Sequence, residues 1–99
     1  MKTSFQDLIK GETPVLVDFY ADWCQPCKVM SPILSQIANE FGDKINVIKI
    51  DVDKNTAVSN LYGIRSIPTF ILFKKGAVIW KKVGGMSAQE FKNEIQKFV

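Results

Sequence analysis

VLVDFYADWCQPCK, residues 15–28, joins a strand-like run to two cysteines that are separated by two residues. Residues 15–20 are apolar or aromatic except for Asp18 and show no alternation of polarity, which is typical of a strand buried on both faces. After Cys27, apolar residues recur at helical spacing as far as Gly42, a residue type that favours the end of a helix. These apolar residues are Met30, Ile33, Leu34, Ile37, Ala38 and Phe41. The stretch therefore predicts a buried strand and a long helix, with both thiols at their junction.

The remainder of the chain predicts further helices and strands. Ser4 with Asp7, and Ser87 with Glu90, have the spacing of a capping box, so each pair predicts the start of a helix. Lys75-Gly76 separates two β-rich runs and predicts the turn of a hairpin. The other predicted elements are a first helix over about 4–10, a strand within INVIKIDV (45–52), a short helix capped by Asp53 or Asn55 and running to Tyr62, hairpin strands at 69–74 and 77–83, and a C-terminal helix after Ser87.

The order of these elements, α-β-α-β-α-β-β-α, predicts one α/β domain over residues 1–99. Strands separated by helices imply right-handed parallel crossovers, and the terminal hairpin adds an antiparallel pair. We therefore expect a mixed central sheet of about four strands with helices on both faces.

Composition limits the function classes. The 99 residues carry a net charge of +3, and much of the excess comes from lysines at 74, 75, 81 and 82. Acidic residues are interleaved elsewhere, so we interpret these lysines as a solvated hairpin and expect no nucleic-acid partner. The sequence has no 18-residue apolar run and no apolar leader near its start, so we expect no membrane span and no secretory signal. A mature protein whose signal had been removed would look the same. We expect a cytoplasmic monomer.

Two cysteines and no histidine exclude several kinds of site. A structural zinc site needs four ligands, a Cys–His nucleophile needs a His, and a secreted disulfide framework needs more bridges. We expect no metal and no resident cofactor. The pair is then either a reactive dithiol or two inert buried thiols, and its place at a strand–helix junction favours redox chemistry.

The position of the two thiols predicts different roles. If Cys24 lies near the N-cap, Cys27 lies one turn further along the helix and its sulfur can reach that of Cys24. Free N–H groups and the helix dipole favour thiolate at this end. We expect Cys24 to be the more exposed thiol and the nucleophile, and Cys27 to face the sheet as the resolving thiol.

Two charged residues occur in the predicted buried strands. Asp18 is either a strand-end acid that reaches solvent, a structural ion-pair partner, or a buried acid/base for the inner thiol. Lys49 is a similarly placed charge in the neighbouring strand and could partner Asp18. The residues alone leave these alternatives open.

Several stretches together resemble the thioredoxin family. They are VLVDFYADWCQPCK, the Pro32 within the following helix, GIRSIPTF at 63–70 and VGG at 83–85, and the similarity covers nearly the whole chain. The resemblance implies a thioredoxin fold of four strands, or five with the family's first strand, and an electron carrier that reduces protein disulfides in the cytosol. It also implies recharging by an NADPH-dependent thioredoxin reductase, and it implies that Asp18 and Lys49 serve proton transfer at Cys27.

The chain departs from the family pattern at two places. Gln25 stands where the family usually has Gly, and we expect Gln25 and Pro26, the dipeptide between the cysteines, to tune the reduction potential. The family's first strand is expected to be missing, because the sequence starts almost at the first helix.

The resemblance also implies a substrate-binding surface. It implies a cis peptide at Ile67-Pro68 packed against the disulfide, with the Ile67 backbone open to an extended substrate segment. The other implied members of this surface are Trp23, Val83, Gly84 and Gly85. The structural alternatives are a proline that merely starts a strand, a core tryptophan and glycines of a turn.

Three functions compete at this point. The favoured one is a reducing thiol–disulfide oxidoreductase. A second is an oxidant or isomerase of secreted proteins, which the lack of a His between the cysteines disfavours. A third is a binding module that uses the same surface without turnover.

Overall fold

The computed structural model describes residues 4–99, which form four helices and four strands. The elements are α1 (Phe5–Ile9), β1 (Val15–Tyr20), α2 (Gln25–Phe41), β2 (Asn46–Asp51), α3 (Thr56–Leu61), β3 (Thr69–Lys74), β4 (Ala77–Val83) and α4 (Ala88–Ile95), with short 3₁₀ turns at Gly42–Lys44 and Gln96–Phe98. The predicted order of elements is confirmed.

Helix starts follow the capping signals in two cases and depart from them in a third. The Ser4 and Ser87 hydroxyls each accept a hydrogen bond from the backbone N–H three residues on, at 3.2 Å. Asn55 occupies the N-cap position of α3 without a side-chain cap, because its Nδ2 donates to the Asp51 carbonyl at 3.0 Å instead. The prediction that Asp53 or Asn55 caps this helix is therefore confirmed in position at Asn55, although no side-chain hydrogen bond accompanies the cap.

The sheet is mixed and has the order β2-β1-β3-β4. Strand β1 runs parallel to β2 and antiparallel to β3, and β3 and β4 form the antiparallel hairpin. Within residues 4–99 this sheet has four strands, as predicted, and no strand lies beyond β2.

Alternate residues of the central strands face two separate apolar clusters. On one face, Leu16, Phe70 and Leu72 pack with α2 and α4. On the other, Val15, Val17, Phe19 and their neighbours on β3 pack with α1 and α3. Strand β1 is buried on both faces for this reason, and the period of two places Asp18 on the α2 side.

The hairpin turn is bonded to the end of α1. Lys75 and Gly76 have φ values of 53° and 80°, the left-handed pair that a tight two-residue hairpin needs. The N–H of Lys75 donates to the Gly11 carbonyl and that of Gly76 to the Ile9 carbonyl, both at 2.9 Å. The turn therefore holds the N-terminal helix against the sheet, at the end of the strands that lies away from the cysteines.

Candidate functional site

The two cysteines lie where β1 passes into α2, and they form a disulfide with Cα atoms 5.3 Å apart. Cys24 is the N-cap of α2 and Cys27 lies in its first turn. The Cys24 Sγ accepts a hydrogen bond from the Cys27 N–H at 3.2 Å, so a first-turn amide that lacks a helical partner bonds to sulfur. Pro26 fits between them because an amide N–H is dispensable in the first turn. The predicted position of both thiols at the helix N-terminus is confirmed.

The predicted difference in exposure is wrong. Cys24 is 3% exposed and Cys27 4%, so both are buried in this oxidised state. They pack with Ala21 and with the half-buried Ile67. What distinguishes the thiols is their place on the helix: the sulfur of Cys24 is the one that receives the amide hydrogen bond.

Asp18 is fully buried, and neither of its carboxylate oxygens has a hydrogen-bond partner within residues 4–99. Burial raises the pKa of this carboxyl to about 6, and the positive charge of Lys49 opposes part of that shift. Of the alternatives open from sequence, the solvent-facing acid and the paired acid are both wrong. A carboxyl with this pKa changes protonation close to neutral pH, which suits a proton acceptor.

Lys49 does not contact Asp18, contrary to the predicted pairing. The parallel register places its Cα opposite that of Asp18, yet its Nζ donates to the Ser31 hydroxyl at 3.2 Å and lies 5.1 Å from the centre of the Tyr20 ring. The residue is exposed at the edge strand, where an ammonium keeps contact with water. Lys49 therefore influences Asp18 only through its charge.

A cleft of about 160 Å³ reaches Cys27 from solvent. Its lining residues are Tyr20, Ala21, Asp22, Cys27, Lys28, Ser31 and Lys49. Asp18 does not line the cleft, so within the described chain the inner thiol has a solvent route that the carboxyl lacks.

The residues of the predicted substrate surface lie around the disulfide. The Ile67-Pro68 peptide is cis, as expected, and the Pro68 carbonyl accepts from the Gly84 N–H at 2.8 Å. Trp23 is 70% exposed rather than a core residue, and its indole N–H donates to Asp53 at 2.9 Å. No hydrogen bond within residues 4–99 uses the N–H or C=O of Ile67.

Val83 and the two glycines complete this side of the site. Val83 is 53% exposed at the end of β4. Gly84 has a φ of +90°, and a Cβ there would meet no atom within 4 Å, so the space beside it is open. A Cβ on Gly85 would lie 3.4 Å from the sulfur of Met30, which makes Gly85 a packing position rather than an open one.

The sequence interpretation missed an apolar cleft on the other side of the disulfide. It is lined by Gln25, Pro26, Val29, Met30, Gly85 and Met86. Val29 is 60% exposed and follows Gln25 by one helical turn. Val29 lies outside the apolar stripe of α2, and this misplaced apolar residue was the signal in the sequence that could have indicated the cleft. Ser31 was also missed, because a serine on a helix gives no sign of the lysine that it contacts.

A disulfide between two cysteines at a helix N-terminus of this α/β fold is the site of a thiol–disulfide oxidoreductase. The thioredoxin family model matches residues 1–97. The chain is similar to thioredoxin Y, chloroplastic, of Oryza sativa, with 46% identity over 95 residues, which cover 95% of this chain and 56% of that protein. It is also similar to thioredoxins of Acidithiobacillus ferridurans and Pseudomonas aeruginosa, with 48% and 44% identity over 82% and 86% of this chain and 75% and 79% of theirs.

A solved structure agrees with the sequence comparisons. A chain from work on the thiol resolving mechanism in yeast mitochondrial 1-Cys peroxiredoxin via glutathione/thioredoxin systems superposes with a TM-score of 0.86 at 32% identity. The match covers 95% of this chain and 87% of that one. The chain belongs to the thioredoxin family. Its redox-active pair is Cys24–Cys27, and neither the oxidant or isomerase nor the binding module without turnover is favoured.

Proposed function

We propose that this chain is an electron carrier that reduces protein disulfides, with Cys24 as nucleophile and Cys27 as resolving thiol. The observation that supports these roles most directly is the hydrogen bond from the Cys27 N–H to the Cys24 sulfur at the start of α2. A sulfur that receives this N–H and the positive end of the helix dipole is stabilised as thiolate, the form that attacks disulfides.

The reaction consists of two exchanges. The Cys24 thiolate attacks one sulfur of a substrate disulfide, and a mixed disulfide forms while the first substrate sulfur leaves as a thiolate. The Cys27 thiol then loses its proton and attacks the Cys24 sulfur, which releases the second substrate thiolate and closes the Cys24–Cys27 disulfide. Two electrons pass to the substrate, and its two thiolates take up protons. The second step is effectively intramolecular because Cys27 lies one turn away.

Asp18 acts as the proton acceptor for Cys27 in this scheme. With a pKa of about 6, it is mostly ionised at neutral pH and remains a stronger base than an ordinary carboxylate. Both residues belong to the layer between β1 and α2, and proton transfer runs directly or through one water. Lys49 supports the ionised form of Asp18 by its charge.

The substrate binds as an extended segment across the disulfide. The free N–H and C=O of Ile67 pair with the segment's backbone, and the open space beside Gly84 accommodates that backbone. The exposed side chains of Trp23 and Val83 provide apolar contact on one side. The apolar cleft beside Val29 takes a side chain of the segment on the other. Gln25 and Pro26 line this cleft next to the disulfide and set the redox balance of the pair.

We further propose that an NADPH-dependent thioredoxin reductase recharges the disulfide and that the chain works as a cytoplasmic monomer in electron transport and cell redox homeostasis. Family membership and the bacterial relatives support this assignment. No helix within residues 4–99 is long and apolar enough to span a membrane. The chloroplastic rice relative makes an organelle the alternative location.

The test combines turnover with an equilibrium measurement. In an insulin-disulfide reduction assay with NADPH and thioredoxin reductase, we expect catalytic precipitation of insulin, and none with a variant that lacks both thiols. Equilibration with glutathione should give a reduction potential near the reducing value of about −270 mV, whereas about −120 mV would identify an oxidant. Binding of substrate proteins without any turnover would instead identify a binding module.

A further inference from the structure

The contacts of Lys49 are not explained by the proposed mechanism alone. Its ammonium donates to the Ser31 hydroxyl at 3.2 Å and stands over the Tyr20 ring, 5.1 Å from the ring centre. Within residues 4–99, Ser31 is its hydrogen-bond partner. A lysine on an exposed edge strand has four flexible methylenes, so without such a partner its ammonium would occupy many positions.

The surroundings of Lys49 leave room for those other positions. One cleft, which reaches Cys27, lies on one side of the side chain. A second cleft, of about 170 Å³, is lined by Ser31, Ser35 and Lys49 together with Leu34, Ala38 and Val47. Ser31 and Lys49 line both clefts, so the hydrogen bond between these two side chains separates one cleft from the other.

We propose that Ser31 is a positioning residue whose hydroxyl fixes the Lys49 ammonium at the mouth of the cleft that reaches Cys27, facing Asp18 but not touching it. Ser31 suits this role because it follows Cys27 by one helical turn and so lies on the α2 face that covers Asp18 and Lys49. The proposal rests on the proposed role of Asp18 as proton acceptor.

The Lys49 ammonium lies near Asp18 without contacting it, and this matters because either direct contact or release into water would impair Asp18 as a base. An ammonium in direct contact would stabilise the carboxylate of Asp18 so strongly that it would no longer take a proton from a thiol. An ammonium released into water would be screened, and a larger fraction of Asp18 would keep its proton at neutral pH. The pKa of about 6 reflects burial with only partial compensation by the charge of Lys49.

The other ionisable groups around Asp18 do not replace Lys49. From α2, Cys27 faces this layer, and it carries no charge while it is in the disulfide. On β3, the residue paired with Asp18 is the apolar Phe70. The remaining ionisable residues that line the cleft are Tyr20, Asp22 and Lys28. Among the described residues, Lys49 is the one charge that shifts the pKa of Asp18.

The experiment follows the titration of the Asp18 carboxyl carbon by NMR in the oxidised protein, which needs no turnover. We expect Ser31→Ala to raise the midpoint by about 0.3–0.5 pH unit, because the released ammonium moves into water, and Lys49→Met to raise it by about one unit. Ser31→Thr keeps the hydroxyl and should retain the parent midpoint. Ser35→Ala removes a hydroxyl from the next turn of the same helix, beside the second cleft, and should also leave the midpoint unchanged.

A double variant distinguishes positioning from a general effect on packing. If Ser31 acts through Lys49, then adding Ser31→Ala to Lys49→Met should cause no further shift. An unchanged or lowered midpoint in Ser31→Ala, or a full shift that persists without Lys49, would overturn the proposal. The acid limb of the pH profile for release of reduced substrate should move with the midpoint. If turnover proves independent of Asp18 while the midpoint still shifts, the base role fails and the positioning by Ser31 stands.

Discussion

Replacing Asp18 by Asn should change the pH dependence of stability in a way that the buried carboxyl dictates. The folded protein holds this group at a pKa of about 6, against an ordinary value of 3.8. Between these two pH values the native state keeps a proton that the unfolded chain has lost, so the stability of the parent falls as pH rises. Over a shift of about two units, at 1.36 kcal/mol per unit, Asp18 costs the parent about 3 kcal/mol by neutral pH.

Asn has no proton to lose, so Asp18→Asn removes this pH-dependent loss. The buried amide brings its own cost, about 1–3 kcal/mol for unsatisfied polar groups, but that cost does not vary with pH. The free energy of unfolding of the variant minus that of the parent should therefore rise by about 2 kcal/mol from pH 4 to pH 6, and by a few tenths of a kcal/mol more before it levels off near pH 7.

The assay is urea denaturation of the oxidised proteins at pH values from 4 to 8, with linear extrapolation. Contributions from other titrating groups cancel in the difference, because both proteins contain them. A difference that does not change with pH would show that Asp18 titrates as an exposed carboxyl. A difference that falls with rising pH would show an ionised, paired Asp18 that stabilises the fold, and the structural reasoning would fail.

Three further outcomes follow from the site. Cys24→Ser should form no adduct with a disulfide substrate, whereas Cys27→Ser should accumulate one at Cys24 that dithiothreitol removes; mass spectrometry after acid quenching reads both, and adducts on Cys27 alone would reverse the roles. Gln25→Gly should lower the reduction potential by about 10–20 mV. The reason is that the loss of roughly 0.5–1 kcal/mol of helix propensity destabilises the dithiol form more than the disulfide form. An unchanged potential would mean that both redox forms hold this turn alike. Val29→Ser should raise KM for an apolar peptide disulfide about threefold to fivefold with kcat unchanged, because partial burial of a valine contributes about 1 kcal/mol to binding. The control Val78→Ser, at the far end of β4, should leave KM unchanged.

The local structure was predictable because local rules decide it. The buried β1 strand, the caps at Ser4 and Ser87 and the hairpin turn at Lys75-Gly76 each depend on residues within a few positions of one another. The redox pair was predictable for the same reason, because its spacing and its place before a helix are visible in a single short stretch.

What the sequence did not predict depends on contacts between distant residues. The partner of Lys49 is Ser31, 18 positions earlier, and the partner of Trp23 is Asp53, 30 positions later. Such contacts depend on the register of the parallel β1–β2 pair and on the rotation of α2 about its axis, which no short-range pattern determines. The exposure of Cys24 was mispredicted because Ile67, which packs beside it, comes from a loop 43 positions further along the chain.

The hydrogen bonds from the hairpin turn to the end of α1 have a consequence for hydrogen exchange. A helix of five residues is too short to persist by itself in water, so α1 depends on this attachment and on Ile9. Its opening must break the bonds donated by Lys75 and Gly76. The amides of these two residues, in the last third of the sequence, should therefore exchange with solvent deuterium at the rate at which the N-terminal segment detaches. A substitution within residues 4–12 that attaches this segment more firmly should therefore slow the exchange of the Lys75 and Gly76 amides relative to the parent protein.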